Sequence, residues 1–334
     1  MKLRNLPFLF FAVAIFFSWV ITSCGGKPEN DLTTPAGIAA ALAEDSTNPE
    51  ALHARARMYI TRNRPDSALT DMLKAIARDS SVSGYFVTLG DAYLMVNQTR
   101  YTRQALERAI RLEPDNKDAH MKLAELFLYV EMRQEAINEV NEVLKIDRNN
   151  PKGYYLKGII YKESGDTSLA VSSFMTTIEQ DPKYVLAYEQ IGLIYAGARN
   201  PRAIDYYQSA LRLDPKNSLT RYNLGMFYQE TGQLDKAMET YQELVELDKS
   251  FPNGYYNMGF ILFEYKNDIK AALPMFEKAA SAGGKYPAAV YMIGVCQEKL
   301  GNKEQAIANY RQVLILDSRL ETAREGLIRL GAKP

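Results

Sequence analysis

PKGYYLKGIIY occupies residues 151–161, and PNGYYNMGFILF occupies residues 252–263. Both open with proline, a glycine two residues on and a pair of tyrosines, and both place a second glycine five residues after the first. Near-copies at a long fixed distance signal a repeating unit. Aligned on Gly158 and Gly259, the chain brings Ala56, Gly90, Ala124, Gly192, Gly225 and Gly294 into the same column. Three residues further on stand Tyr59, Tyr93, Phe127, Tyr161, Tyr195, Tyr228, Leu262 and Gln297. The intervals between successive small residues are 34, 34, 34, 34, 33, 34 and 35.

A second small residue follows the first by twelve: Ala68, Ala136, Ala170, Ala237 and Ala306. Thr102 replaces it once, Ala203 arrives one residue early and Ala272 one late, slips that the reading assigns to turns. Breaker chemistry lies between the two small positions in ESGDTS, ETGQLD and KLGNKE. LEPDN, QDPKY and LDPKN separate one unit from the next, because proline cannot donate the hydrogen bond a continuing helix requires. Each unit is therefore two short helices joined by a tight turn. Eight units result, at 49–82, 83–116, 117–150, 151–184, 185–217, 218–251, 252–286 and 287–320.

This pattern resembles the tetratricopeptide repeat, a helix-turn-helix unit of about 34 residues. The large aromatic near the end of the second helix stands as Phe174, Tyr207, Tyr241, Phe276 and Tyr310, with Ala75, Ala109, Ala210 and Ala279 as the small residue that follows by three elsewhere in the pattern. Tyr154, Tyr188 and Tyr255 stand where the family usually has tryptophan. The resemblance implies an all-α fold, a right-handed α-solenoid of eight helix-turn-helix repeats. An N-terminal capping helix is expected in residues 34–48, where Thr34 precedes Pro35, and a C-terminal one in residues 321–334.

Before the repeats, Lys2 and Arg4 precede an apolar run from Leu6 to Val20, the layout of a secretory signal and shorter than a membrane span. Ile21-Thr22-Ser23-Cys24 resembles the lipobox of bacterial lipoproteins. That resemblance implies removal of residues 1–23, lipidation of Cys24 and a tether over residues 24–33. Gly25 after the cysteine is similar to outer-membrane sorting in Gram-negative bacteria, so the expected location is a lipid-anchored position in the cell envelope.

With 40 basic and 40 acidic residues the chain has no general attraction for nucleic acid. Cys24 and Cys296 are the only cysteines, so no disulfide framework is implied. His53 and His120 lie 67 residues apart without a metal-ligand spacing, and SAGGKYP (281–287) lacks the pattern of a phosphate loop. No catalytic constellation, metal site or cofactor is expected.

In the resembled family the first helices line a concave groove. Carried across position by position, the groove residues are Tyr155, Glu189, Tyr222, Tyr256 and Tyr291, with Ile159, Leu193, Met226, Phe260 and Val295 one turn on. Earlier units contribute His53, Arg57, Val87, Asp91, Met121 and Glu125. Family members that clamp acidic chaperone tails use lysine and asparagine at these two positions, and neither occurs here. The expected function is a membrane-anchored protein-interaction scaffold that holds a peptide segment or partner protein. The alternative is a glycan-binding or peptidoglycan-binding module, because tyrosine rings also stack on sugars.

Overall fold

The computed structural model describes residues 31–282, 284 and 286–333. The expected signal segment, Cys24 and the expected tether up to residue 30 lie outside these described residues, within which there are 18 α-helices and no strand. None of these helices is long and apolar enough to cross a membrane. The chain divides into two compact units, one ending at Leu112 and the other beginning at Glu113.

In the first unit, α1 (Pro35–Glu44) is started by Thr34, whose hydroxyl oxygen accepts from the Gly37 N–H at 3.1 Å, with Pro35 as the first helical residue. Two helix pairs follow: α2 (Pro49–Thr61) with α3 (Pro65–Arg78), and α4 (Ser83–Met95) with α5 (Thr99–Leu112). Leu52, Ala56, Met72, Ala75, Tyr85 and Leu89 form their core. Inside it the Asp71 carboxylate is only 3% exposed, and the Arg55 guanidinium donates to both its oxygens at 2.7 and 2.8 Å. Such a fork answers both carboxylate oxygens at once, which offsets the cost of burying the charge.

The second unit contains six pairs and a last helix. They are α6 (Lys117–Tyr129) with α7 (Arg133–Ile146), α8 (Pro151–Glu163) with α9 (Thr167–Gln180), and α10 (Val185–Gly197) with α11 (Arg202–Leu213). Then come α12 (Ser218–Glu230) with α13 (Leu234–Leu247), α14 (Pro252–Phe260) with α15 (Ile269–Ala282), α16 (Pro287–Lys299) with α17 (Lys303–Leu316), and α18 (Glu321–Arg329).

The spacing of small and aromatic residues has a direct steric meaning. A Cβ built on Gly158 would meet the Phe174 ring at 2.5 Å, on Gly192 the Tyr207 ring at 2.8 Å, and on Gly225 the Tyr241 ring at 2.6 Å. Gly259 and Gly294 stand in the same relation to Phe276 and Tyr310, at 2.9 and 2.8 Å. The second helix's ring thus occupies the space beside the glycine that a side chain would need, and all five rings are buried to 1% exposure or less. Close packing of this kind supplies most of the helices' stability, since helices of this length are marginal alone.

Every pair turns through one residue of positive φ. These are Asn63 (55°), Asn97 (57°), Glu131 (61°), Gly165 (82°), Arg199 (51°), Gly232 (76°), Asn267 (48°) and Gly301 (79°). A left-handed residue ends the first helix and lets its last carbonyls be satisfied by the reversing chain. The N–H of the residue after Arg199, for example, donates to the Tyr195 carbonyl at 2.8 Å.

The two slips in spacing have different structural causes. The early Ala203 follows a shortened start of α11, where Pro201 stands in place of a cap, as the turn reading expects. The late Ala272 is a correction. Its extra residue is absorbed within the first helix, which continues from α14 as a π-helical turn over Ile261–Tyr265, and Asn267 then turns the chain.

Candidate functional site

Within the second unit α6 packs against α8, and α10 against α12, so the first helices of successive pairs are neighbours in one layer. Tyr155, Tyr222, Tyr256 and Tyr291 occupy equivalent places on these helices, all half-buried. Each rests on the buried aromatic of its own second helix. Centroid separations are 5.5 Å for Tyr155–Phe174, 6.3 Å for Tyr222–Tyr241, 5.5 Å for Tyr256–Phe276 and 5.8 Å for Tyr291–Tyr310.

A second ring supports three of them from the other side. Tyr184 lies 5.0 Å from Tyr155, Phe251 5.4 Å from Tyr222, and Tyr286 5.5 Å from Tyr256. These supporting rings were not among the sequence candidates. A signal was present: each sits immediately before a first helix, where Asn48, Asn116, Asn150 and Asn217 elsewhere cap the helix by accepting from a backbone N–H at 2.9–3.0 Å. Tyr184, Phe251 and Tyr286 make no such bond. The cap is exchanged for aromatic packing.

On α10, where the tyrosine is absent, the helix that follows in the layer has its asparagine cap, Asn217. Glu189 holds the equivalent place on α10, and its carboxylate accepts from Asn217 Nδ2 at 2.7 Å and from Thr220 Oγ1 at 2.5 Å. One turn on, Ile159, Met226, Phe260 and Val295 are half-buried, whereas Leu193 is 41% exposed. The Met226 sulfur accepts from Asn257 Nδ2 at 3.2 Å, and Asn257 also donates to the buried Tyr241 hydroxyl at 3.0 Å. Leu186 and Leu219, at 49% and 62% exposure, add apolar surface at the starts of α10 and α12.

Other expected groove positions are differently placed. Val87 and Met121 are buried at 6% and 4% and offer no surface, a correction that follows from their turning into the helix pair. Arg57 is exposed, and Glu125 accepts from Lys152 at 2.9 Å. His53 is occupied by packing on Tyr85 at 5.0 Å and by a hydrogen bond to Thr88 at 2.8 Å. The other histidine, His120, which was not an expected groove position, bonds Glu139 at 2.6 Å and the Pro114 carbonyl at 3.0 Å.

Burial raises the Tyr286 hydroxyl to about 12, helped by the neighbouring hydroxyls of Tyr256 and Tyr222. Burial likewise pushes the Cys296 thiol up to about 12. Among the described residues, no group of three or more His, Cys, Asp or Glu is placed to hold a metal ion. A cleft of about 490 Å³ is lined by residues of α11, α12 and α13. Arg221 at its wall donates to the Pro215 carbonyl at 2.9 Å and to Glu243 at 3.2 Å.

Profiles described as tetratricopeptide repeat match residues 155–218 and 258–320 and residues 206–239, and one described as TPR repeat matches residues 227–264. Residues 155–320 carry tetratricopeptide repeats. Solved structures agree on the fold of these repeats. A tetratricopeptide repeat protein from Parabacteroides merdae is 17% identical with a TM-score of 0.52, covering 75% of this chain and 99% of its own. The C-terminal part of a TPR repeat-containing protein from Cytophaga hutchinsonii is 19% identical with a TM-score of 0.52, covering 82% and 98%.

Among curated proteins, the tetratricopeptide repeats bring similarity to a BBSome complex member, the BBS4 homolog of Drosophila melanogaster, at 25% identity over 66% of this chain and 46% of the relative. The human mitochondrial import receptor subunit TOM70 is 21% identical over 79% of this chain and 45% of its own length. The chain thus spans about half the length of these relatives.

Proposed function

We propose that this chain is a non-enzymatic interaction scaffold, tethered to a cell-envelope membrane through lipid on Cys24, that holds a peptide segment or partner protein along the first-helix layer of its second unit. The observation that carries the reading is the row Tyr155, Tyr222, Tyr256 and Tyr291, half-buried rings that each rest on a buried aromatic of the second helix. Rigid tyrosines give large contact area with a polar tip at low cost in side-chain freedom, the make-up of recognition surfaces. Tetratricopeptide repeat proteins generally mediate protein or peptide interactions, and the similar curated proteins are described as a complex member and a receptor subunit. The lipobox-like ITSC and the apolar run before it support the anchor, and Gly25 after the cysteine supports the outer-membrane location.

Two measurements test the two halves of this reading. Intact mass of the protein purified from membranes is expected to show residues 1–23 removed and acyl chains on Cys24; an unprocessed or unacylated mass rejects the anchor. Photo-crosslinkers placed at Met226 and Val295 are expected to capture a polypeptide, and at exposed Arg311 none. Equal labelling at all three sites rejects the binding face.

A further inference from the structure

The two ends of the first unit differ in chemistry. Short connections make its consecutive helices antiparallel: residues 45–48 join α1 to α2, 62–64 join α2 to α3, and 96–98 join α4 to α5. His53, near the start of α2, meets Tyr85 and Thr88 near the start of α4, so those two helices run the same way. The start of α1 and the turns at 62–64 and 96–98 therefore share one end, the turn end. The connections at 45–48 and 79–82 share the other.

Exposed apolar surface gathers at the turn end. Among the described residues of this unit, the exposed large apolar side chains are Leu94 (40%), Met95 (38%) and Tyr101 (49%) beside the 96–98 turn, and Leu73 midway along α3. The Tyr101 ring is braced by Tyr93, stacked at 5.2 Å. Around them stand Arg62, Arg64, Arg100 and Arg103, against two acids, Asp31 and Asp66. Arg103 is paired with Glu107 at 2.7 Å, and Arg64 rests over the Tyr59 ring at 4.8 Å. Arg62 and Arg100 are exposed and have no carboxylate partner among the described residues. At the opposite end Glu44, Asp45, Glu50 and Asp79 outnumber Arg78 and Arg111, and no large apolar side chain is exposed there among the described residues.

An anionic bilayer surface answers both properties of the turn end. Guanidinium forks match phosphate oxygens, and amphipathic and apolar side chains settle among headgroups without crossing the membrane. The same surface repels the acidic end. The route of the chain points the same way. The Thr34 N–H donates to the Asp31 carbonyl at 3.1 Å, which holds Asp31 against the start of α1 and so at the turn end. Seven residue steps lead from Cys24 to Asp31, a reach of at most about 25 Å. A lipid on Cys24 would therefore keep this end, and not the acidic one, nearest the bilayer.

From this arrangement we infer that the turn end of the first unit docks on an anionic phospholipid surface, with Leu94, Met95 and Tyr101 among the headgroups and Arg62 and Arg100 on their phosphates. The inference rests on the lipid anchor proposed above and adds an orientation to it: the acidic end points away from the membrane.

The test mixes the full chain, purified from membranes, with vesicles of phosphatidylcholine, either alone or with about one third phosphatidylglycerol. An environment-sensitive dye is attached at Met95→Cys or, at the acidic end, at Ser46→Cys, while buried Cys296 stays unlabelled in the native protein. In the anionic vesicles the dye at position 95 is expected to brighten about twofold or more and to be quenched by nitroxide-labelled headgroups, and the dye at position 46 to do neither. The gain is expected to fall by about half or more in the double variant Arg62→Gln, Arg100→Gln, and likewise at about 1 M salt, which screens charges beyond about 3 Å. A circular dichroism melt matching the parent shows that the double variant is folded; should it unfold early, the salt series on the parent carries the comparison. With acyl chains found on Cys24 by intact mass, no gain at 95, equal gains at 95 and 46, or a gain equal in both vesicle types overturns the docking and leaves the anchor. A gain seen only with envelope membranes that retain their proteins assigns this end to a protein partner and overturns the docking as well. An unacylated protein that ignores the vesicles overturns both readings, and one that still responds at 95 overturns the anchor alone.

Discussion

Tyr155 and Tyr184 stand 29 residues apart in the chain and 5.0 Å apart between ring centroids. The pair joins the middle of one repeat to the threshold of the next, and the same relation recurs for Tyr222 with Phe251 and Tyr256 with Tyr286. A ring supported by its own second helix and by the following repeat is fixed on two flanks. The inner face is thus ordered by the packing that joins one repeat to another.

Gly225→Ala is expected to destabilise the protein by about 1–3 kcal/mol, because the added methyl meets a fully buried ring with no free side to move into. Ala237→Val, on the facing second helix, should act in the same direction. Urea unfolding followed by circular dichroism checks both: the midpoint falls while the slope stays constant if the native packing alone has changed.

Glu131→Gly is expected to stabilise by about 0.5–1 kcal/mol. Glu131 holds φ at 61°, a conformation costing a side-chain-bearing residue roughly 1–2 kcal/mol, partly offset by glycine's greater freedom when unfolded. A raised thermal midpoint verifies it, and an unchanged one shows that Glu131 makes compensating contacts.

The two histidines should titrate on opposite sides of the ordinary value of about 6.5. The hydrogen bond with Glu139, aided by the Pro114 carbonyl, raises His120, whereas burial followed by the nearby Arg57 charge lowers His53. His120 then contributes stability that is full below about pH 6.5 and is lost as pH rises through its higher folded value. His53 contributes stability that is present above that pH and is lost as pH falls through its lower folded value. Two resolved imidazole Cε1 resonances, assigned with His120→Gln, give both titrations directly.

Cys296 has no exposed surface, and its thiol is pushed up to about 12, so iodoacetamide at neutral pH should leave it unmodified in the native protein. Alkylation is expected to follow unfolding in denaturant. Rapid native labelling, read by mass, would place the thiol on an opening segment.

Removing the Arg329 side chain should loosen α18. Its guanidinium donates to both Glu298 oxygens at 2.6 and 2.8 Å, and Glu298 also accepts from Tyr310. Because Arg329 is 54% exposed, Arg329→Ala is expected to cost less than about 1 kcal/mol globally. The sensitive readout is faster amide exchange confined to α18.

Much of the fold was legible because the relation of Gly158 to Phe174, or Gly225 to Tyr241, is a steric rule written at fixed spacing. The period, the helix pairs and the stops follow from it. The π turn after α14 was not legible, since ILFEY is ordinary helical sequence and an extra residue can be taken up in a helix or in a turn with equal ease. The division after Leu112 has no counterpart in LEPDN, which reads like the other stops. At the candidate face, the tyrosines came from their position in the repeat. Their supports at Tyr184, Phe251 and Tyr286 were missed because a residue before a helix is first read as a cap, and only the missing cap bond reveals its other use.

The π turn at Ile261–Tyr265 also shows how such a chain survives editing. An inserted residue is stored as a local widening of one helix, and by Ile269 the next helix has resumed with Phe276 seated on Gly259. The error is quarantined within one repeat. A single residue can therefore be gained or lost in such a helix, and one side chain of the candidate face re-aimed, without disturbing the repeats downstream.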